Sequence, residues 1–288
     1  MKTIRIGALA DSGDLYPFIP LIEKKVKSDD FNLEFEFIPT VQEVNDKIVK
    51  KEVDISVPSA ALYPYVQKDY FILSSAVASA VDGITGMPIL AMKNMDMEEI
   101  KNSKIIVHGL NTTALNLYKL LIGKYRKLVV VHRVLDEVNA MVEEGGVMVA
   151  VHELKAMYDL KKMGVDPHRL ASMWEMWKEL SGNKPMPMGT ILINSEIGEE
   201  YAVKFRELYN RSKKYAESHM EEVLPVDVKI MREVQNSDIS LEVIKGTIGA
   251  DIKEYNVSLN DVRSGLEFFY DIMYKRNLLP GVKEIRLI

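Results

Sequence analysis

The chain lacks cysteine altogether and has only two tryptophans and five histidines in 288 residues. Without cysteine there is no disulfide framework, no thiolate metal site and no cysteine nucleophile, and redox chemistry says nothing about compartment. A zinc site is not expected either. His152 has no second histidine four residues on, and His108, His132, His168 and His219 show no ligand spacing. No stretch approaches the eighteen or so consecutive apolar residues of a membrane span. Runs of one charge are missing as well. The 37 basic and 42 acidic side chains are interspersed and leave a net charge of −5. That balance argues against a nucleic-acid stripe and against a polybasic membrane patch. The expected partner is a small molecule, with neither nucleic acid nor membrane involved. After Met1 and Lys2 the chain enters the β-type run Thr3 to Leu9 and meets Asp11 and Asp14, with no h-region or small-residue cleavage site. The expected location is therefore cytoplasmic.

The 47% hydrophobic content is enough for a sizeable core and for two lobes. The apolar periods alternate between strand and helix. Ile4 to Leu9 reads as a strand, Pro17 to Lys27 as a helix, Leu33 to Ile38 as a strand and Val41 to Lys51 as an amphipathic helix. Asp54 to Val57 follows as a short strand, Ala60 to Val66 as a helix, and Tyr70 to Ala80 returns to the sheet. Val81 to Gly86 leads to the strand Pro88 to Met92, which carries the chain out of the first lobe. A second set repeats the alternation: Ser103 to Val107, Leu128 to Val131 and Gly146 to Val151 as strands, Thr112 to Lys124 and Leu135 to Glu144 as helices. Lys184 to Ile193 is a return crossing. From Gly198 the pattern is helical to about Phe269, and Gly281 to Ile288 is a closing strand or arm.

Residues 1–88 and 190–288 are thus expected to form one discontinuous lobe and 89–189 the other. An α/β chain crossed twice in this way has the architecture of the type II periplasmic-binding-protein fold, whose ligand sits between the lobes. Fold alone does not separate a binding protein from an enzyme.

Two segments carry the candidate chemistry, VHGLNTTALNL from Val107 and VAVHE from Val149. Each puts polar groups just past an apolar β-type run, where open α/β sheets hold ligands. His152 ends its run, and an imidazole titrating near neutrality suits proton transfer; the alternative is a histidine satisfied in a packed interface. Glu153 either orients that imidazole or forms a structural salt bridge. Thr112 and Thr113 fall where a strand-to-helix loop ends, so their hydroxyls and the following N–H groups offer a carboxylate site, or simply an N-cap. Ser59 and, more weakly, Ser56 offer hydroxyls from the first lobe. Asp14 is placed to bind a ligand hydroxyl or to cap the helix at Pro17. Trp174 and Trp177, three apart, share a face if the segment is helical, as core or as an aromatic lid.

In order and spacing, several pieces resemble the futalosine-pathway menaquinone enzymes, in particular the 1,4-dihydroxy-6-naphthoate synthase branch. They are IRIGALADSGD from Ile4, VPSAALY from Val57, the HGLNTTA turn, VHE with Tyr158, WKELSGNKPMPMG from Trp177 and YNVSL from Tyr255. The resemblance implies a cofactor-free enzyme that cleaves cyclic dehypoxanthinyl futalosine to release dihydroxynaphthoate. It also implies that His152 is the general base and matches Asp14 to an acidic position of the family; on that reading Thr112, Thr113, Ser59 and, more weakly, Ser56 are the residues expected to hold the substrate's carboxylate and hydroxyls.

The chain departs from the family in three places. The first loop reads LADSGD rather than a SPCPND-like run, Val57 stands where a lysine is common, and Lys155 where an arginine is common. These changes alter one pocket wall and leave room for a divergent paralogue. The alternatives are the sister chorismate dehydratase, which differs in its first-loop signature, and a non-catalytic solute-binding protein for a small carboxylate. The C-terminal helices could pair two copies as a homodimer, although nothing in their pattern demands it.

Overall fold

The computed structural model describes residues 1–83, 86–236 and 238–288. Its strands are β1 (Lys2–Leu9), β2 (Phe31–Ile38), β3 (Ile55–Ser56), β4 (Tyr70–Ala80), β5 (Pro88–Ala91), β6 (Lys104–Val107), β7 (Lys127–Val130), β8 (Val147–Val149), β9 (His168–Ser172) and β10 (Met186–Asn194). They form two five-stranded sheets, ordered β2-β1-β3-β10-β4 and β7-β6-β8-β5-β9. In each sheet three strands are parallel, in the order second, first, third. A strand from the far side of a crossing then adds antiparallel as the fourth: β10 in the first sheet and β5 in the second. The two sheets share one plan, so the carboxyl ends of their parallel strands are equivalent places, and ligands of open α/β sheets lie at such ends.

The sequence explains these elements. β2 is an edge strand whose buried and exposed residues largely alternate, while β1, with a neighbour on each side, is buried almost throughout its second half. One apolar core lies around the first sheet, with Ile4, Ile6, Phe18, Phe205, Tyr209 and Ile248 in it. A second joins both halves of the molecule, and a third covers the far face of the second sheet through Ile106, Val138, Met148 and Leu160. In the joining core, Trp177 from the second half meets Phe268 edge-on at 5.4 Å and gives its indole N–H to Lys184 O at 2.8 Å. Phe268 lies on the helix Leu259–Lys275, which packs on β4 and β10.

Several expectations need correcting. Pro17 to Lys27 is not one helix. Pro17 and Pro20, which lack an N–H, each sit in the first turn of a short piece, the 3-10 turn Tyr16–Phe18 and the helix Ile19–Ile22. Lys24, in the left-handed region at φ 56°, closes the run. Asp14 does not cap at Pro17; Asp11 is the N-cap of the short helix Ser12–Leu15 and accepts from Gly13 N at 3.2 Å. The strand β9 has no counterpart in the sequence reading, and the last long helix runs to Lys275 rather than ending near Phe269. The tail is an arm laid beside β4, with Ser74 N donating to Ile288 O and Ile288 N to Ile72 O. Part of the expected segment Val81 to Gly86, namely Ile84 and Thr85, lies outside the described residues. Among the described residues no helix is long and apolar enough to cross a membrane.

Candidate active site

A cavity of about 110 Å³ opens between the two halves, at the carboxyl ends of β1, β3, β6 and β8. The first half contributes Asp11, Asp14, Val57 and Ser59; the second contributes His108, Thr113, His152 and Glu153; the C-terminal helices add Asp251, Glu254 and Tyr255.

His152 follows β8 and is the residue before the helix Glu153–Lys162. Its side chain is not spent on capping that helix. Instead Nδ1 lies 3.0 Å from Asp11 Oδ2. Burial on its own would lower the His152 pKa, but the negative charge of Asp11 and the bond to it raise it to about 9. For Asp11, burial acts upward and is outweighed by His152 and by the Gly13 N–H, so its carboxyl is held below the usual range. At neutral pH the pair is an imidazolium beside a carboxylate, with Nε2 the ring nitrogen left for a ligand. Glu153 does not orient the imidazole. Its Oε1 pairs with Arg169 at 3.0 Å, the structural alternative.

The loop that carries Asp11 is fixed from the C-terminal helices. Ser12 Oγ donates to Asp227 Oδ1 at 2.8 Å, and Gln235 Nε2 donates to Ala10 O at 2.8 Å. Tyr255 OH donates to Asp14 Oδ1. Asp251 lies so close to Gly13 that a Cβ there would sit 1.5 Å from its Oδ2, which is why a glycine is needed at this point. Burial, reinforced by the Asp11 charge, raises Asp14 to about 7. Asp251 and Glu254 are pushed well above the usual carboxylate range, first by burial and then by neighbouring acids. One wall is therefore a cluster of acids whose burial favours the protonated form, the form that can donate hydrogen bonds to a ligand.

The opposite wall is the turn after β6, and it is pinned across the cleft. Asn45 Nδ2 donates to Asn111 O at 3.0 Å while its Oδ1 accepts from Ser59 N at 3.2 Å, and Gln42 Oε1 accepts from Leu110 N at 3.1 Å. Thr113 Oγ1 donates to Met188 O at 2.8 Å and accepts from Ala61 N at 3.2 Å.

Of the expected site residues, His152, Asp14, Ser59 and Thr113 line the cavity; Thr112 and Ser56 do not. Thr112 is the N-cap of the helix Thr113–Leu121, accepting from Leu115 N at 3.3 Å, so its hydroxyl is used internally. The hydroxyl of Ser56 is turned into the sheet, where it donates to Gly7 O at 2.5 Å. Neither tryptophan lines the cavity; Trp174 and Trp177 belong to the core. Sequence reasoning assigned no role to Asp11, Asp251, Glu254 or Tyr255. The legible signal for the last three was their spacing, which puts them on one face of the helix Leu241–Tyr255 beside Ile248. Among the described residues no group of three or more His, Asp or Glu side chains is arranged to hold a metal ion.

The chain matches the family described as menaquinone biosynthesis over residues 4–275. It is 26% identical over 226 residues to a 1,4-dihydroxy-6-naphthoate synthase of Thermus thermophilus, covering 78% of each chain. Among solved structures, protein AF1704 of Archaeoglobus fulgidus superposes with a TM-score of 0.81 at 22% identity, over 96% of this chain and 98% of that one. The periplasmic aliphatic sulphonate binding protein of Escherichia coli superposes with a TM-score of 0.65 at 12% identity, over 99% and 91%. The fold is the two-lobed, type II periplasmic-binding-protein fold.

Proposed function

We propose, for a chain that belongs to the menaquinone biosynthesis family, that it is a cofactor-free carbon–carbon lyase converting cyclic dehypoxanthinyl futalosine to 1,4-dihydroxy-6-naphthoate. The observation that carries this reading is His152, held on Asp11 in a cleft at the ends of parallel strands. Asp11 fixes Nδ1 and the ring orientation, so Nε2 is the nitrogen that exchanges a proton with the substrate. The pair is charged at rest, so His152 works as a base only after giving up its proton, and as an acid without preparation.

The other groups are assigned by what they offer. Thr113 and Ala114, at the start of the helix Thr113–Leu121, present N–H groups and the positive end of the helix dipole to the substrate carboxylate. Ser59 and the acids Asp14, Asp251 and Glu254 face its hydroxyl-rich part. Val57, where the family commonly has a lysine, makes that wall apolar beside the acids. A cytoplasmic location and a small carboxylate substrate belong to the same reading.

The test offers purified protein cyclic dehypoxanthinyl futalosine and chorismate separately and identifies products by mass spectrometry. Dihydroxynaphthoate from the first alone supports the reading. A dehydrated product from chorismate would replace it with the dehydratase. Binding of either compound without turnover would replace it with a non-catalytic receptor.

A further inference from the structure

His108 follows β6 as His152 follows β8, and β6 and β8 are neighbouring parallel strands, so the two imidazoles stand side by side at the strand ends. Their ring centroids are 6.0 Å apart and both line the cavity. Each has a carboxylate at Nδ1: Asp11 at 3.0 Å from His152, and Glu137 Oε1 at 3.6 Å from His108.

The second pair has no structural explanation of the ordinary kind. His108 is 4% exposed and Glu137 1% exposed, yet His108 Nδ1 and Glu137 Oε1 have no hydrogen-bond partner. A buried carboxylate oxygen without a partner is costly, and the great majority of buried polar groups are satisfied. At 3.6 Å the two atoms face each other just beyond bonding distance, and contacts between acid–base groups commonly tighten when substrate binds. Glu137 is in the first turn of the helix Val134–Glu144 and does not itself line the cavity.

We propose that His108, oriented by Glu137, is a second proton-transferring residue of this cavity and acts on the same substrate as His152. The inference rests on the lyase reading for its substrate. One imidazole takes a proton from a substrate C–H or O–H while the other gives a proton to the departing fragment. The enzyme as a whole then keeps its proton count, and exchange with solvent restores the starting state. His152, whose Nδ1 is already engaged by the Asp11 carboxylate, is the acid of the couple, and His108 is the base. Glu137 is a positioning residue that stabilises the imidazolium formed on His108. The charged or titratable groups around His108 are Glu137 at its Nδ1, His152 beside it, and Asp11, Lys155, His132 and Arg133 in an adjoining recess that both imidazoles line. Lys155 is tied to Asp159 at 3.2 Å.

The experiment compares wild type, His108→Gln and Glu137→Gln in kcat and KM across pH with cyclic dehypoxanthinyl futalosine, alongside ¹⁵N-histidine NMR of the ligand-free proteins. Wild type is expected to give a bell-shaped profile. In His108→Gln, kcat should fall about 100-fold with KM within about threefold, and the low-pH limb should disappear. Glu137→Gln should lower kcat about tenfold and displace that limb. The NMR should show the Nδ1 protonation signature of His108 changed by Glu137→Gln and that of His152 retained. A folded His108→Gln enzyme with wild-type kcat and both limbs overturns the proposal. If wild type itself forms no product, the lyase reading falls, and the NMR alone decides the dyad: a His108 signature indifferent to Glu137→Gln overturns it.

Discussion

His152 Nδ1 and Asp11 Oδ2, 3.0 Å apart, come from the two halves of the molecule, Asp11 after β1 and His152 after β8. Their ion pair therefore spans the cleft and exists only when the halves are together. Removing the carboxylate charge should let burial and the helix N-terminus dominate the imidazole. Asp11→Asn is expected to bring the His152 pKa from about 9 to 6.5 or below, read by ¹H–¹⁵N correlation of the ring against pH. The high-pH limb of kcat/KM should move down with it.

Stability should depend on pH in an uncommon direction. Burial raises both Asp14 and Asp227 to about 7, so the folded state holds protons that the unfolded chain releases near the model value of 3.8. Their contribution is complete only below pH 3.8 and declines as pH rises to 7. His152, raised to about 9, contributes fully below 6.5 and loses that contribution as pH rises to 9. Asp11, held below the usual range, acts in the opposite sense and protects only above its unfolded pKa. Thermal unfolding should show Tm falling from about pH 5 to pH 9. Asp227→Asn keeps an acceptor for Ser12 and removes the buried charge, so it should be more stable than wild type by on the order of 2 kcal/mol at pH 8, and not at pH 4.

Two adjacent threonines should separate cleanly. Thr112→Ala loses an N-cap and should cost about 1 kcal/mol in denaturant unfolding with KM nearly unchanged. Thr113→Val removes the hydroxyl that ties the cavity wall to Met188 and Ala61 and should raise KM as well as lower stability.

Trp177 provides the corresponding test away from the site. Trp177→Phe gives up the hydrogen bond to Lys184 O and part of the packing on Phe268, an expected cost of about 2 kcal/mol. Since the ring does not line the cavity, kcat should be retained. A selective loss of substrate affinity would return Trp177 to the lid role.

The parts of this molecule written as local patterns were legible in the sequence. The alternating β2, the apolar β1 and the repeated strand–helix sets gave a two-lobed α/β fold, and His152 and Thr113 stood out because each follows an apolar strand. What escaped was set by tertiary contact or by proline. Pro17 and Pro20 broke an expected helix into pieces, and β9 became a strand by pairing with β5 although its own residues are half-exposed. Thr112 and Ser56 carry the right side chains, but backbone partners consume their hydroxyls. Asp11 read as an ordinary acid after a strand because its partner lies in the other half. Glu137 lay unremarked within the expected helix Leu135 to Glu144, and only the fold brings it to His108 Nδ1.

The most direct test of the central claim follows dihydroxynaphthoate by mass spectrometry after cyclic dehypoxanthinyl futalosine is added to wild type and, in parallel, to His152→Ala of matched circular dichroism. The account predicts product from wild type and at least about 100-fold slower formation by the variant. Turnover by His152→Ala at the wild-type rate would contradict it.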